Sequence, residues 1–136
     1  MRELVDVMKA LSDPGRVKVL KMLEAREGCA CEMCACEIIG LLGLAQPTVS
    51  RHLKVLADAG LIKGRKVGSW VHYRLALSSD SGSPYAQAML AALPGWLEKN
   101  PEIKALRQAM GQESSRLKPL KLSAPQDCCD PVAANP

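Results

Sequence analysis

The sequence contains no run approaching the roughly 18 consecutive apolar residues that a membrane span needs, and its start, Met1-Arg-Glu-Leu-Val-Asp, opens an amphipathic pattern rather than a signal peptide. A cytoplasmic protein with no membrane partner is the expectation. Histidine is scarce: His52 and His72 are the only two, and neither lies in the last third of the chain. Cysteine is absent before Cys29 and again between Cys36 and Cys128, so its six residues form two tight groups. A disulfide framework would spread its cysteines, whereas clustered thiols in a reducing compartment are more often metal ligands or redox centres. No Gly-rich, anion-cradling loop accompanies either group, which leaves a thiol enzyme acting on an oxyanion without its usual cradle.

What is present suffices for one domain. A chain of 136 residues, 48% of them apolar, can build a core without staples. The net charge of +4 is unevenly placed. Between Gln46 and Arg74 lie Arg51, Lys54, Lys63, Arg65, Lys66 and Arg74 against the single acid Asp58. Such a block is the footprint of a polyanion site, although a solvated face would look the same from charge alone.

Periodicity divides the chain. Leu4, Val7, Met8 and Leu11 mark a first helix from about Arg2 to Leu11, and Ser12-Asp13-Pro14 starts a second that runs to about Ala25 on Val17, Leu20 and Leu23. After Glu27-Gly28 comes Cys29-Ala-Cys31-Glu-Met-Cys34-Ala-Cys36, four thiols in eight residues. Ile38, Leu41 and Leu42 then predict a short third helix, Gly43 a sharp turn, and Gln46-Pro47 the start of a fourth helix whose inward stripe is Val49, Leu53 and Leu56. Two helices joined by a tight turn containing glycine have the layout of a helix-turn-helix. Gln46, Thr48, Ser50, Arg51, His52 and Lys54 then supply donors for base edges and phosphates, concentrated near the helix N-terminus.

From Leu61 to Leu75 the period becomes two, with Val67-Gly68-Ser69 as the turn, predicting a β-hairpin with Arg65 and Lys66 at a basic tip and His72 and Arg74 on its second strand. The fold class is therefore mainly α with a small β-hairpin, a winged helix-turn-helix. Residues 78–82 read as a polar linker, followed by helices capped by Ser83-Pro84 and Asn100-Pro101. Their apolar residues, Met89, Leu90, Leu93, Ile103, Leu106, Met110 and Leu117, predict a homodimer formed with the first helix, which suits a protein reading two half-sites of double-stranded operator DNA. The domain is expected to span 1–118, and 119–136, Pro- and Ser-punctuated and carrying Cys128-Cys129, to be a disordered tail.

From Leu4 to about Leu117 these residues resemble the ArsR/SmtB family of metal-responsive winged-helix repressors. Glu32-Met-Cys-Ala-Cys-Glu-Ile38 is similar to the family's metal box, typically Glu-Leu-Cys-Val-Cys-Asp-Leu. Gln46-Pro-Thr-Val-Ser-Arg-His-Leu-Lys-Val-Leu56 and Gly68-Ser-Trp-Val-His-Tyr-Arg-Leu75 are similar to its recognition helix and wing. The resemblance implies a repressor, not an enzyme, whose metal ligands include Cys34 and Cys36. Arsenite-sensing members add a cysteine three residues after the second, and here that position is Ile39. The candidates for a third ligand are Cys31, Cys29, Cys128 and Cys129.

Zinc-, nickel- and cobalt-sensing relatives use His and carboxylates on the last helix, and one type of cadmium and lead sensor adds N-terminal cysteines. Neither set is present, so the resemblance implies As(III) or Sb(III) as inducer, ahead of Cd(II), Pb(II) or Zn(II). A structural zinc site, an oxidation switch and a thiol enzyme of arsenic metabolism are the competing readings.

Two further expectations concern the thiols. A helix N-terminus should lower their pKa. Residues two apart on a helix point away from each other, so one atom binding both Cys34 and Cys36 should force the backbone out of helical geometry.

Overall fold

A computed structural model describes residues 1–26, 32–76 and 83–117, with side chains through 111. The elements are α1 (Arg2–Ala10), α2 (Pro14–Arg26), β1 (Met33–Cys34), α3 (Ala35–Leu42), α4 (Gln46–Asp58), β2 (Ile62–Val67), β3 (Trp70–Leu75), α5 (Pro84–Ala92), a 3₁₀ turn at Leu93–Gly95 and α6 (Pro101–Leu117). The fold is a winged helix-turn-helix, mostly helical with a three-stranded antiparallel sheet ordered β1-β3-β2.

Local chemistry accounts for the boundaries. Asp13 Oδ1 accepts from the amides of Gly15 and Arg16 at 2.8 and 3.4 Å, capping α2 ahead of its first-turn proline. Gly43 ends α3 in the left-handed region, φ 67°, and its amide donates to Ile39 O at 3.1 Å. That turn lets α4 start three residues later. Gly68, φ 64°, makes the two-residue turn between β2 and β3. Gly64 is required for a different reason: a Cβ there would lie 2.9 Å from the Tyr73 ring.

One core joins all helices. Val7 and Ala10 of α1, Leu20, Met22 and Leu23 of α2, Ile38 of α3, and Val49, Leu53 and Leu56 of α4 are buried together with Leu61, Ile62 and Leu75 of the sheet. The C-terminal elements add Ala86, Leu93, Leu106 and Met110 to the same core, so much of their apolar surface, expected at a dimer interface, is already covered within one chain. Large apolar residues that stay exposed on these elements and on α1 include Leu97 before α6, Tyr85 on α5, and Val5 and Met8 on α1; α1 and α5 pack against each other.

Charge fixes α6 onto α2. Lys21, fully buried, directs Nζ to Glu24 at 2.6 Å, Glu98 at 2.8 Å and the carbonyl of Leu93 at 3.1 Å. Arg107 bridges the same two carboxylates at 3.3 and 3.0 Å. Buried charge survives only when its partners satisfy it, and here three elements supply them. Among the described residues no helix is long and apolar enough to cross a membrane.

Candidate DNA interface and thiol site

The helix-turn-helix presents α4 outward as its pattern predicts. Gln46, Ser50, Arg51 and Lys54 are exposed and Thr48 half-buried, while Val49, Leu53 and Leu56 face inward. Ala45 precedes the helix and brings no side-chain oxygen to its first turn, and no acid stands there. The first amides of α4 therefore carry the positive end of the helix dipole without a side-chain cap. Lys54 pairs with Asp58 at 3.3 Å, both largely exposed.

His52 departs from the exposed face on which the sequence reading put it. It is 8% exposed and turned toward the start of α2, with Nε2 3.6 Å from Asp13 Oδ1 and Nδ1 3.4 Å from Arg16 Nη1. Arg16 also donates to the carbonyls of Ala10 and Lys9 at 2.9 and 3.0 Å. A Cβ on Gly15 would come within 3.0 Å of His52 Nε2, so glycine there lets the ring approach. The cause is helical phase. His52 follows the buried Val49 by three residues and precedes the buried Leu56 by four, so its ring falls on the inner stripe and works as a brace between α4 and the α1–α2 junction.

The wing also differs from its expected form. Its turn is Gly68-Ser69, flanked by the exposed apolar residues Val67 and Trp70, so the tip is not basic. Lys66 pairs with Val71 and Arg65 with His72 further along the ladder. Arg65 holds the carboxylate of Glu32 in a two-point contact, Nη2 to Oε1 at 2.7 Å and Nε to Oε2 at 3.1 Å. His72 and Arg74 are half-buried, and Arg74 donates to the carbonyl of Leu75 at 3.2 Å.

The thiols lie at the junction of sheet and helix. Cys34 ends β1, pairs with His72 of β3, and is the N-cap of α3 with extended backbone, φ −70° and ψ 145°. Its buried sulfur accepts from the Cys36 amide at 3.4 Å. Glu37 completes a capping box, Oε1 accepting from the Cys34 amide at 3.2 Å and Oε2 pairing with Arg26 Nη2 at 2.9 Å. Because Cys34 is not helical, the two sulfurs converge: the exposed Cys36 thiol donates to Cys34 Sγ at 2.7 Å. The anticipated divergence is therefore overturned, and both thiols can meet one atom with α3 intact.

The anticipated lowering of thiol pKa is overturned as well for Cys36. Desolvation, the hydrogen bond to Cys34, and repulsion from Cys34 and Glu37 push its thiol up to about 11, and only its contact with the backbone at Glu37 opposes them. Burial, ahead of the Cys34 contact and the neighbouring charges, outweighs the helix terminus.

Two soft sulfurs at this spacing suit a thiophilic centre, but among the described residues no group of three His, Cys, Asp or Glu side chains could enclose a metal ion. Cys29, Cys31, Cys128 and Cys129 lie outside the described residues. Nothing in the sequence marked the roles of Glu32, Arg26 and Arg16, or the contact between the cap residue Asp13 and His52. The Cys34-x-x-Glu37 spacing, a capping box with sulfur in place of a hydroxyl, was a usable signal for Glu37. No spacing marks Glu32.

Comparison with known proteins places this geometry. A family profile described as bacterial regulatory protein, arsR family, matches residues 13–63, from the α2 cap into β2. An arsenical resistance operon repressor of Escherichia coli is 31% identical over 112 residues, covering 81% of this chain and 86% of that protein. The chain belongs to the ArsR family. An arsenic resistance transcriptional regulator of Pseudomonas putida is 45% identical to this ArsR-family chain over 78 residues, which are 55% of the chain and 58% of that relative. The fold is shared with a homodimeric winged helix-turn-helix DNA-binding domain from Mycobacterium bovis, 24% identical, with a TM-score of 0.54 over 74% of this chain and 83% of that one.

Proposed function

We propose that the protein is a transcriptional repressor of arsenical resistance that leaves its operator when As(III) or Sb(III) is captured by Cys34, Cys36 and a third thiolate. The observation that carries this reading is the convergence of the two metal-box sulfurs at 2.7 Å, at the start of the helix-turn-helix. Arsenous acid is neutral, so it is captured by exchange and not by charge: three thiols replace its three hydroxyls, and the hydroxyls leave as water with the thiol protons. Cys31 or Cys29 supplies the third sulfur from the adjoining segment, with Cys128 and Cys129 as the alternatives from the tail. The arsenic resistance named for the relatives in Pseudomonas putida and Escherichia coli supports this inducer class. A cadmium resistance regulator homolog of Staphylococcus aureus, 38% identical over 73 residues, keeps Cd(II) as the second reading.

In this reading Gln46, Thr48, Ser50 and Arg51 enter the major groove, while Lys54, Lys66, Arg65, His72 and Arg74 meet the backbone beside it. His52 stays inside as a brace. The protein acts as a homodimer in which Val5, Met8 and Tyr85 of the α1–α5 surface meet their counterparts, adding to a contact that C-terminal residues only partly supply.

The test is a fluorescence anisotropy titration of DNA from upstream of the protein's own gene. Arsenite, antimonite, cadmium, lead and zinc are added to the wild type and to single serine variants of each of the six cysteines. Release by arsenite that is lost in Cys34→Ser, in Cys36→Ser and in one further variant is the expected result. Release that survives both Cys34→Ser and Cys36→Ser would sink the assignment.

A further inference from the structure

The tip of the wing is apolar. Val67 and Trp70 stand directly opposite each other across the Gly68-Ser69 turn, 40% and 51% exposed, and neither belongs to the buried core. We propose that this pair enters the minor groove of the operator beside the recognition helix, and that Trp70 is a DNA-contacting residue that reads how readily the duplex unstacks there. The inference rests on the reading of α4 as the recognition helix.

The strand register shows what accompanies the pair. Side chains of a strand alternate between its faces, and directly opposed residues share one. Two steps along the ladder from Val67 and Trp70 come Arg65 and His72, and two steps further Lys63 and Arg74. One face of the hairpin thus carries three cations and a histidine and ends in valine and tryptophan. The opposite face pairs Ile62 with Leu75 and Gly64 with Tyr73. Ile62 and Leu75 are buried in the core and Tyr73 packs against it, so the face with the cations and Trp70 is the outward one.

The wing is also tethered to α4. Three residues separate Asp58 at the end of the helix from Ile62 at the start of β2, and the Leu61 amide donates to Leu56 O at 3.0 Å. The six residues of β2, at about 3.3 Å each, carry the tip about 20 Å beyond that junction, more than the roughly 12 Å width of a major groove. Cations along such a strand meet phosphates and fix register. An apolar end has no phosphate to meet, but apolar side chains pushed between base steps in the minor groove unstack them and bend the duplex toward the major groove, the groove that α4 occupies. Pyrimidine–purine steps unstack most easily, so the tip favours an operator with such a step in its flank, without a hydrogen bond to any base.

The experiment uses the full chain and DNA from upstream of its own gene. The chain has two tryptophans, and Trp96 packs against the core. Intrinsic emission is expected to fall on DNA binding in the wild type and to stay constant in Trp70→Phe. Anisotropy titrations should show Trp70→Ala binding about five- to thirty-fold more weakly, within the range for loss of an aromatic contact to a base, with the wild-type salt slope because no charge is removed. Hydroxyl-radical footprinting locates the protected minor groove. Replacing a pyrimidine–purine step there by a G·C-rich one should weaken the wild type about five-fold and leave Trp70→Ala unaffected. A structural role alone would lower the melting temperature of Trp70→Ala and leave its preference for the step intact. If Trp70→Ala does not fold, Val67→Thr, which keeps the β-branch, decides the matter: loss of the step preference supports the proposal, and a wild-type preference overturns it. Wild-type emission that does not respond to DNA, a Trp70→Ala affinity close to the wild-type value, or a step preference that survives in Trp70→Ala would each overturn it as well. A wild type that binds none of this DNA would instead overturn the repressor reading and this proposal with it.

Discussion

If Cys36 captures the inducer as proposed, its raised thiol should make capture a slow step whose rate climbs with pH while its equilibrium does not. At a pKa of about 11, roughly one Cys36 in ten thousand is thiolate at pH 7. A cysteine at its ordinary value of 9.0 would be about one per cent thiolate. Attack proceeds through the thiolate, so the association rate of arsenite with DNA-free protein should rise about ten-fold per pH unit between about pH 6.5 and 8.5 if Cys36 leads. The equilibrium obeys a different balance. Exchange of three thiols for three hydroxyls of a neutral acid produces water and no net proton, so arsenite affinity should be flat across that window. A divalent cation instead expels one proton per protonated thiol it ligates, and the Cys36 thiol alone should make cadmium tighten about ten-fold per pH unit.

Stopped-flow mixing with arsenite, followed by equilibrium titration of arsenite and cadmium at the same pH values, separates the two slopes. A capture rate independent of pH would refute the raised thiol and mean that the helix terminus, not burial with Cys34 and Glu37, governs Cys36. An arsenite affinity that steepened with pH would refute neutral exchange. The same shift bears on stability, with its sign fixed by linkage. The unfolded thiol ionises near its ordinary value of 9.0 and the folded one near about 11, so the contribution is complete below the first and is lost as pH rises toward the second.

Other perturbations test the frame. His52→Ala should cost roughly 1–3 kcal/mol in denaturant unfolding, the scale for opening a buried polar contact, and leave the salt dependence of DNA binding unchanged. Unchanged stability with a slope reduced by about one would make His52 a phosphate contact after all. Gly64→Ala pushes a methyl to 2.9 Å from the Tyr73 ring and should destabilise by roughly 1–3 kcal/mol, with weakened operator binding. A neutral effect in thermal melts would show that Tyr73 can swing aside. Arg107 and Lys21 hold the Glu98 carboxyl down to about 2, below its ordinary 4.5, so its contribution is present above the higher value and lost as pH falls through the lower. Wild-type protein should lose stability between those limits more steeply than Glu98→Gln, and parallel acid melts would refute the network.

The helices and the hairpin were legible because each is written in a local signal. Gly43 and Gly68 each sit at a φ above 60°, and the buried Val49, Leu53 and Leu56 fall at helical spacing. His52 lies inward because phase outweighs polarity: a residue three after the buried Val49 and four before the buried Leu56 falls on the inner stripe of α4, where Asp13 and Arg16 meet it.

The thiol site was legible in identity and not in geometry, because a two-residue strand leaves no periodicity to read. Once Met33 and Cys34 pair with Tyr73 and His72, Cys34 must be extended, and an extended cap residue can turn its sulfur back over the first helical turn. The same fold raises the Cys36 thiol, by burial first and then by the Cys34 sulfur and the Glu37 carboxylate, against the lowering that a helix N-terminus would confer. Convergence and the raised Cys36 pKa thus go together: the burial and the Cys34 contact that bring the sulfurs close also disfavour ionising Cys36. In the proposed reading Cys36 stays protonated until an inducer reaches it and gains anionic character only as its sulfur–inducer bond forms.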